Sequence, residues 1–137
     1  MGRILALDYG LRRTGIAVSD PLRIIAGSLA TVPTAELKAF LAKYIAANDV
    51  DTIVVGMPHQ MDGSPSETFA HIGPLVERLR RAYPTLSVEL FDERFTSKLA
   101  LRAMIDGGVP KMKRREKGLV DRVSATIILQ GYMDSRK

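Results

Sequence analysis

Short apolar runs recur along the chain and predict the strands of a sheet. Two of these runs, at 4–8 and 14–19, are joined by a glycine turn, and this arrangement predicts a β-hairpin. A weaker strand is predicted at 27–32, just before a proline. The β-branched run at 52–56 is typical of a buried parallel strand, and 87–91 is predicted to be the next strand.

Apolar residues at helical spacing predict helices between and after these strands. Thr34 is the expected cap of the first helix. Gly73-Pro74 interrupts the second, so we expect a kink or a helix that starts near Pro74. A short helix is predicted at 97–105 and a last one at 119–133. The first two helices are marked by Leu37, Phe40, Leu41, Tyr44 and Ile45 and by Phe69, Ile72, Val76, Leu79 and Tyr83.

The order of these elements predicts the fold class. A hairpin and a third strand, followed by alternating helices and strands, predict one α/β domain over 1–137, without repeat or linker. Its sheet is mixed, with an antiparallel leading hairpin, and is flanked by helices. Ligands bind at the carboxyl ends of parallel strands, and Asp8, Gly56 and Glu93 all fall at such ends.

Three carboxylates stand in apolar or structured settings far apart in the chain: Asp8, Glu93 and Asp121. Asp8 and Glu93 each close an apolar strand, and Asp121 has apolar neighbours near the start of the last helix. A buried carboxylate is costly unless it is paired, hydrogen-bonded or bound to a metal. A divalent cation is the simplest way to hold three of them together, which predicts metal-dependent phosphoryl chemistry.

Each carboxylate also has a structural interpretation. Asp8 could cap the turn that follows its strand. Asp121 could simply favour the positive end of the helix dipole. Asp92 and Glu93 point to opposite faces of a strand, so only one readily faces a site, while the other pairs with Arg94 or caps the next helix. The residues alone do not decide which one.

Composition limits which metal ions are expected to bind and where in the cell the protein is expected to be. The chain has no cysteine and two histidines, so oxygen ligands must dominate and Mg²⁺ or Mn²⁺ is expected. The two histidines, His59 and His71, lack ligand spacing. No apolar stretch has the length of a signal peptide's core or a membrane span, so we expect a cytoplasmic protein without membrane contact.

Positive charge is concentrated in one segment. The formal net charge is +5 over 137 residues, and segment 111–117 holds five cations against Glu116, or +4 of that total. The segment directly precedes Asp121 and could guide a polyanion to the carboxylates, although a solvated loop is the ordinary interpretation. The loop at 56–64, with a turn at Asp62-Gly63, could likewise position substrate or be a plain connection.

Four ordered motifs together resemble the YqgF (RuvX) family of Holliday-junction resolvases, also described as pre-16S rRNA nucleases. The resemblance covers nearly the whole chain and implies an RNase H-like fold. It also implies that Asp8, Glu93 and Asp121 bind the metal, and it favours Glu93 over Asp92. Gln60, where the family commonly has Asn, and Gly73-Pro74 depart from the family pattern. The motifs are Leu7-Asp8-Tyr9-Gly10 with 15–20, Val55-Gly56-Met57-Pro58 with Met61-Asp62-Gly63, 92–97, and Lys117–Asp121 with Ser124-Ala125.

The resemblance implies a hydrolase, a metal-dependent nuclease acting on phosphodiester bonds, with maturation of the 5′ end of pre-16S rRNA as the expected role. One or two Mg²⁺ or Mn²⁺ ions would serve, with Asp8 bridging two. The expected partner is nucleic acid, pre-rRNA or branched DNA, bound by a monomer or homodimer. Substrate binding is assigned to Arg94, Lys117, Lys113, Arg114, Arg115 and Asp62.

Three alternative functions compete with this role. A structure-specific Holliday-junction resolvase would use the same chemistry on DNA. A non-catalytic RNA-binding factor in ribosome assembly would lack one carboxylate, and none of the three is missing here. An actin-like nucleotide-binding protein would need a second phosphate-binding hairpin and a much longer chain, and the sequence shows neither.

Overall fold

A five-stranded mixed sheet organises the molecule in a computed structural model that describes residues 2–57, 69–92 and 117–136. The strands lie in the order β3-β2-β1-β4-β5. β2 is antiparallel to both β1 and β3, whereas β1, β4 and β5 are mutually parallel. The α/β class with an antiparallel leading hairpin, as expected for an RNase H-like sheet, is confirmed. The strands are β1 Arg3–Tyr9, β2 Arg13–Ser19, β3 Ala26–Pro33, β4 Val50–Met57 and β5 Ser87–Asp92.

Helices cover the sheet on both faces. In the described ranges they are α1 Leu37–Ala47, α2 Phe69–Ala82 and α3 Lys117–Ser135, and a short 3₁₀ turn, Thr34–Glu36, leads into α1. Side chains are described from Ala70 in α2 and from Ser124 in α3. The predicted loop after β4 and the predicted helix at 97–105 lie outside the described residues. None of the described helices combines the length and apolar character needed to cross a membrane.

Strand β1 shows how the core divides into two layers. Leu5 and Leu7 point to the face covered by α1 and α2, whereas Ile4 and Ala6 point to the face covered by α3, as the two-residue period of a strand requires. The α1/α2 face buries Leu5, Leu7, Ile16, Leu37, Leu41, Val50, Ile53, Val55, Ile72, Leu75, Val76, Leu79 and Val88. The α3 face buries Ile4, Ala6, Ala17, Val54, Ala125, Ile128, Leu129, Tyr132 and Met133.

Small residues let α3 lie close to the sheet. Ala6, Ala17 and Ala125 are fully buried between them. Gly131 faces the ring of Phe91, and a β-carbon there would approach Phe91 Cζ to 2.8 Å. A larger residue at position 131 would therefore require the Phe91 ring to shift, and glycine allows the present contact between α3 and β5.

One prediction about a helix boundary is wrong, and one of two alternatives at a second boundary is excluded. Thr34 does not cap α1, whose N-cap position is Glu36 and carries no side-chain cap bond. Helix α2 does not start near Pro74 but is already helical from Phe69. Ile72 and Leu75, on either side of Pro74, are both buried against the sheet, and this packing outweighs the lost backbone bond. A kink at Pro74 stays a prediction.

Candidate active site at the carboxyl edge of the parallel strands

Asp8 lies near the carboxyl end of β1, opposite Gly15 of β2. Its side chain is half-buried. Ile4 and Ala6 precede it at two-residue intervals on the α3 face, and its neighbours Leu7 and Tyr9 pack on the other face. The pleat therefore places Asp8 on the α3 face of the sheet. A carboxylate at this position is beside an apolar layer and close to the strand end.

The turn after Asp8 is tied to the end of β3. A β-carbon on Gly10 would lie 2.5 Å from the carbonyl oxygen of Arg13, so the tight turn requires glycine. The Thr34 hydroxyl donates to the Gly10 carbonyl at 2.6 Å, and the Thr34 amide donates to the Arg12 carbonyl at 2.9 Å. These bonds hold the chain beyond Asp8 in one conformation.

These hydrogen bonds of Thr34 were not predicted from the sequence. Thr34 looked like a helix cap because it precedes an amphipathic pattern, but its hydroxyl is used across the sheet edge. It also lies 3.0 Å from the hydroxyl of Thr14, which is fully buried in β2. A polar residue within the apolar run at 14–19 was the available signal, since a buried hydroxyl needs a hydrogen-bond partner.

The parallel strands end at one edge of the sheet. Leu7 pairs with Val55, so the next residues, Asp8 and Gly56, occupy the following row, and Gly56 pairs with Phe91 of β5. Since neighbouring strands lie about 4.8 Å apart, the backbones of Asp8 and Phe91 are roughly 10 Å apart across β4. Side chains that follow these strand ends can converge above this edge.

The other predicted site residues are only partly within the description. Lys117 and Asp121 lie in α3, before the point at which its side chains are described. Among described side chains, no group of three histidine, aspartate or glutamate residues is placed to hold a metal. Of the three predicted ligands, only Asp8 has a described side chain. Outside the described residues lie Glu93, Arg94, Asp62, Lys113, Arg114 and Arg115.

Comparison with known proteins gives consistent matches over the whole chain. The family model described as "RuvX: Holliday junction resolvase" matches residues 2–135. A protein of Phocaeicola vulgatus is 53% identical over 137 residues, covering 100% of this chain and 99% of the relative. One of Porphyromonas gingivalis is 50% identical over 135 residues, covering 98% of each. Both relatives carry the name "Putative pre-16S rRNA nuclease".

Among solved structures, YeaZ from Pseudomonas aeruginosa is similar to 79% of this chain. The match covers 50% of that protein, at 23% identity and a TM-score of 0.46.

Proposed function

This chain belongs to the RuvX family of Holliday junction resolvases, and on that premise we propose that it is a nuclease that matures the 5′ end of pre-16S rRNA in the cytoplasm. The observation that carries the proposal is the full-length similarity, at about half identity, to relatives named for that substrate. The reaction is hydrolysis of a phosphodiester bond, with Asp8, Glu93 and Asp121 as the catalytic residues.

Helix α3 supports the pairing of Asp121 with Asp8. Asp121 precedes Ala125 by four residues and Ile128 by seven, which are the intervals at which helix residues share a face. Ala125 and Ile128 are both fully buried against the α3 face of the sheet. Asp8 belongs to the same face of β1. The helical register and the strand pleat therefore both favour a carboxylate pair between α3 and β1.

Strand β5 supports Glu93 over Asp92. Val88 packs on the α1/α2 face, whereas Glu89 accepts a bond from Tyr132 of α3 and Phe91 contacts Gly131 of α3. Alternate residues of a strand share a face, so the series that begins with Glu89 and Phe91 leads to Glu93. The series that begins with Val88 leads to Asp92. This parity, together with the family resemblance, favours Glu93 as the partner of Asp8, although Glu93 itself lies outside the described residues.

The donor set fits a hard divalent cation. Three carboxylates offer only oxygen, which suits Mg²⁺ or Mn²⁺, and Asp8 is half-buried beside the apolar layer of the α3 face. When bound, one or two such ions would activate water and stabilise the leaving oxygen. Asp8 would contact both ions if two are present, with Glu93 and Asp121 completing the set.

Cations near the site would hold the substrate. We assign phosphate contacts to Arg94, Lys117 and the basic stretch Lys113-Arg114-Arg115, and substrate positioning to the turn at Asp62. Such phosphate contacts release counterions, so affinity should fall steeply with salt.

The direct test exchanges one carboxylate for an amide. Asp8→Asn should abolish cleavage of a pre-16S rRNA fragment in Mg²⁺ or Mn²⁺, by about a thousandfold or more, because removal of a metal ligand or catalytic carboxylate costs several kcal/mol of barrier. Binding of the fragment and the thermal unfolding midpoint should stay close to those of the unchanged protein.

Asp49→Asn is the matched control. Asp49 is exposed at the amino end of β4, on the opposite edge, and makes no ion pair with any described residue. The same chemical change there should leave cleavage intact. Cleavage that persists in EDTA, or that is equal in the Asp8→Asn protein, would contradict the proposed site.

A Holliday-junction resolvase is the second candidate, favoured by the description of the family model. Symmetrical cleavage of a four-way junction needs two active sites and hence a homodimer. Cleavage of a four-way junction at a lower protein concentration than the rRNA fragment, with two symmetry-related nicks, would favour this role. A monomer that cleaves the rRNA fragment alone would exclude it.

A further inference from the structure

A groove of about 490 Å³ lies between α1 and α2, on the face of the sheet away from α3. Its floor is apolar, with Leu37 and Leu41 of α1 facing Leu75 and Leu79 of α2. Its volume is in the range of pockets that hold small ligands, roughly 300–1,000 Å³. Asp8 lies on the α3 face of β1, so the proposed catalysis leaves this groove without a role.

Cations line the groove and no acid does, among the residues that the structure describes there. The cations are Lys38 of α1 and Arg78 and Arg81 of α2. Within the described ranges, Lys38 and Arg78 are in no ion pair. Arg81 donates Nε to the backbone carbonyl of Glu77, at 3.4 Å. The groove is therefore complementary to an anion.

Two tyrosines give the groove flat apolar surfaces. Tyr9 of β1 and Tyr83, which follows α2, both line it. Burial raises the pKa of Tyr83, so its hydroxyl stays neutral at physiological pH. Aromatic rings beside cations are the features with which proteins bind single-stranded nucleic acid, through base stacking and phosphate contacts. Bases in a duplex stack on one another and are not free to stack on the tyrosine rings.

The groove reaches the end of β1 that carries Asp8. Tyr9 directly follows Asp8 and points to the opposite face of β1. Thr34, which also lines the groove, is bonded to the turn after Asp8. A strand passing over this edge could therefore contact Asp8 on one face and Tyr9 on the other.

We propose that this groove binds the unpaired nucleic-acid strand that continues from the scissile phosphate. Phosphates contact Lys38, Arg78 and Arg81, and a base stacks on Tyr9 or Tyr83. The proposal rests on the proposed nuclease function, because it treats the groove as an extension of that site. It predicts a preference for substrates with a single strand beside the cleavage point.

The test measures binding without cleavage. The full chain is titrated in EDTA against a short fluorescent single-stranded RNA and against DNA of the same sequence. We expect the triple change Lys38→Gln, Arg78→Gln and Arg81→Gln to weaken RNA binding by about tenfold or more. The slope of log affinity against log salt should fall by roughly two, since each lost phosphate contact on a single strand contributes about 0.7.

Lys43→Gln is the matched control. Lys43 is an exposed cation of α1 that does not line the groove, so its loss should change affinity less than about twofold. Ultraviolet crosslinking of 5-bromouridine-substituted RNA, mapped by mass spectrometry, should identify Tyr9 or Tyr83. Crosslinking by the DNA alone would assign the groove to a DNA strand, and the claim of an unpaired strand would hold.

Unchanged affinity and salt slope in a folded triple variant would overturn the proposal. The proposal would also be overturned if poly-glutamate bound as tightly as RNA and neither tyrosine formed a crosslink. Failure of the groove and failure of the nuclease function are separable. A protein that cleaves normally after the triple change lacks the groove function, whereas one that binds through the groove but never cleaves lacks the nuclease function.

Discussion

The two faces of the sheet are built on different principles. The α1/α2 face is filled by large aliphatic residues such as Leu5, Leu7 and Ile53, and its helices leave a groove between them. The α3 face is built around alanines and Gly131, and one helix lies close against the sheet. Among the described residues, the first arrangement buries only leucine, isoleucine and valine. The second brings a helix backbone near the strand that carries Asp8.

Because of this difference, one face contributes mainly to the stability of the protein and the other sets the position of helix α3 relative to the sheet. Large side chains contribute most to the free energy of folding, because stabilisation scales with buried apolar area. Small side chains contribute little area but set the distance between helix and sheet. We therefore expect changes in the apolar core of the α1/α2 face to alter mainly stability, and enlargement of the small residues on the α3 face to alter cleavage beyond its effect on stability.

The largest loss of stability is expected from Ile53→Ala. Ile53 is fully buried in central strand β4 on the α1/α2 face and does not line the groove. Removing its side chain leaves a cavity and should lower the free energy of unfolding by about 2–5 kcal/mol, measured by urea denaturation. The cleavage rate of the folded protein should change little. A tenfold fall in that rate, well below the unfolding midpoint, would refute the contrast between the faces.

A smaller loss of stability but a greater loss of activity is expected from Ala125→Leu. Ala125 is fully buried between α3 and the sheet, so added volume must push the helix outward, at a cost of about 1–3 kcal/mol. Cleavage should fall by about tenfold or more if Asp121 acts with Asp8, because small displacements of catalytic groups are costly. Ala46→Leu, at an exposed position of α1, is the control and should affect neither quantity.

The smallest effect concerns the polar end of α3. Tyr132, largely buried, donates its hydroxyl to Glu89, which also pairs with Arg136. Tyr132→Phe should lower the free energy of unfolding at neutral pH by about 1 kcal/mol, through the lost hydrogen bond. Cleavage should be unaffected, since this contact lies far along α3 from Asp121.

The same residue predicts a pH dependence with a definite sign. Burial, and then the bond to Glu89, raise the pKa of Tyr132 above its ordinary value of 10.0. The unfolded chain therefore loses this proton first, and stability should fall as pH rises past about 10. Tyr132→Phe should show a shallower fall in urea denaturation at alkaline pH. Tyr44→Phe removes a hydroxyl with no hydrogen bond to any described residue, and a matching change there would refute the assignment.

Local pattern was sufficient for most elements because their burial is periodic. The apolar run at 4–8 lies within β1 Arg3–Tyr9, and the helix predicted at 119–133 lies within α3 Lys117–Ser135. The cap at Thr34 was predicted wrongly, and the alternative of a helix start near Pro74 was excluded, for the same reason. The Thr34 hydroxyl bonds to a turn distant in sequence, and packing of α2 on the sheet carries the helix through Pro74. Neither effect is visible in a local window.

For the candidate site too, some features were predicted from the sequence and others come only from the structure. The choice of Asp8, Glu93 and Asp121 as metal ligands, and of Mg²⁺ or Mn²⁺ as the ion, rests on residue types and on the family resemblance, and stays a prediction. The structure adds that Asp8 lies on the α3 face and that the three parallel strands end at one edge. It also adds the parity of β5, which favours Glu93 where the residues alone left Asp92 open.

The sequence by itself determined the strands, the described helices and the fold class, and it predicts the chemical type of the candidate site, because these depend on the nature and spacing of nearby residues. Tertiary structure alone decided which face each strand residue occupies relative to α3, how Thr34 braces the turn after Asp8, and that a cationic groove lies behind Tyr9. These features depend on contacts between segments distant in sequence, which form only when the sheet assembles.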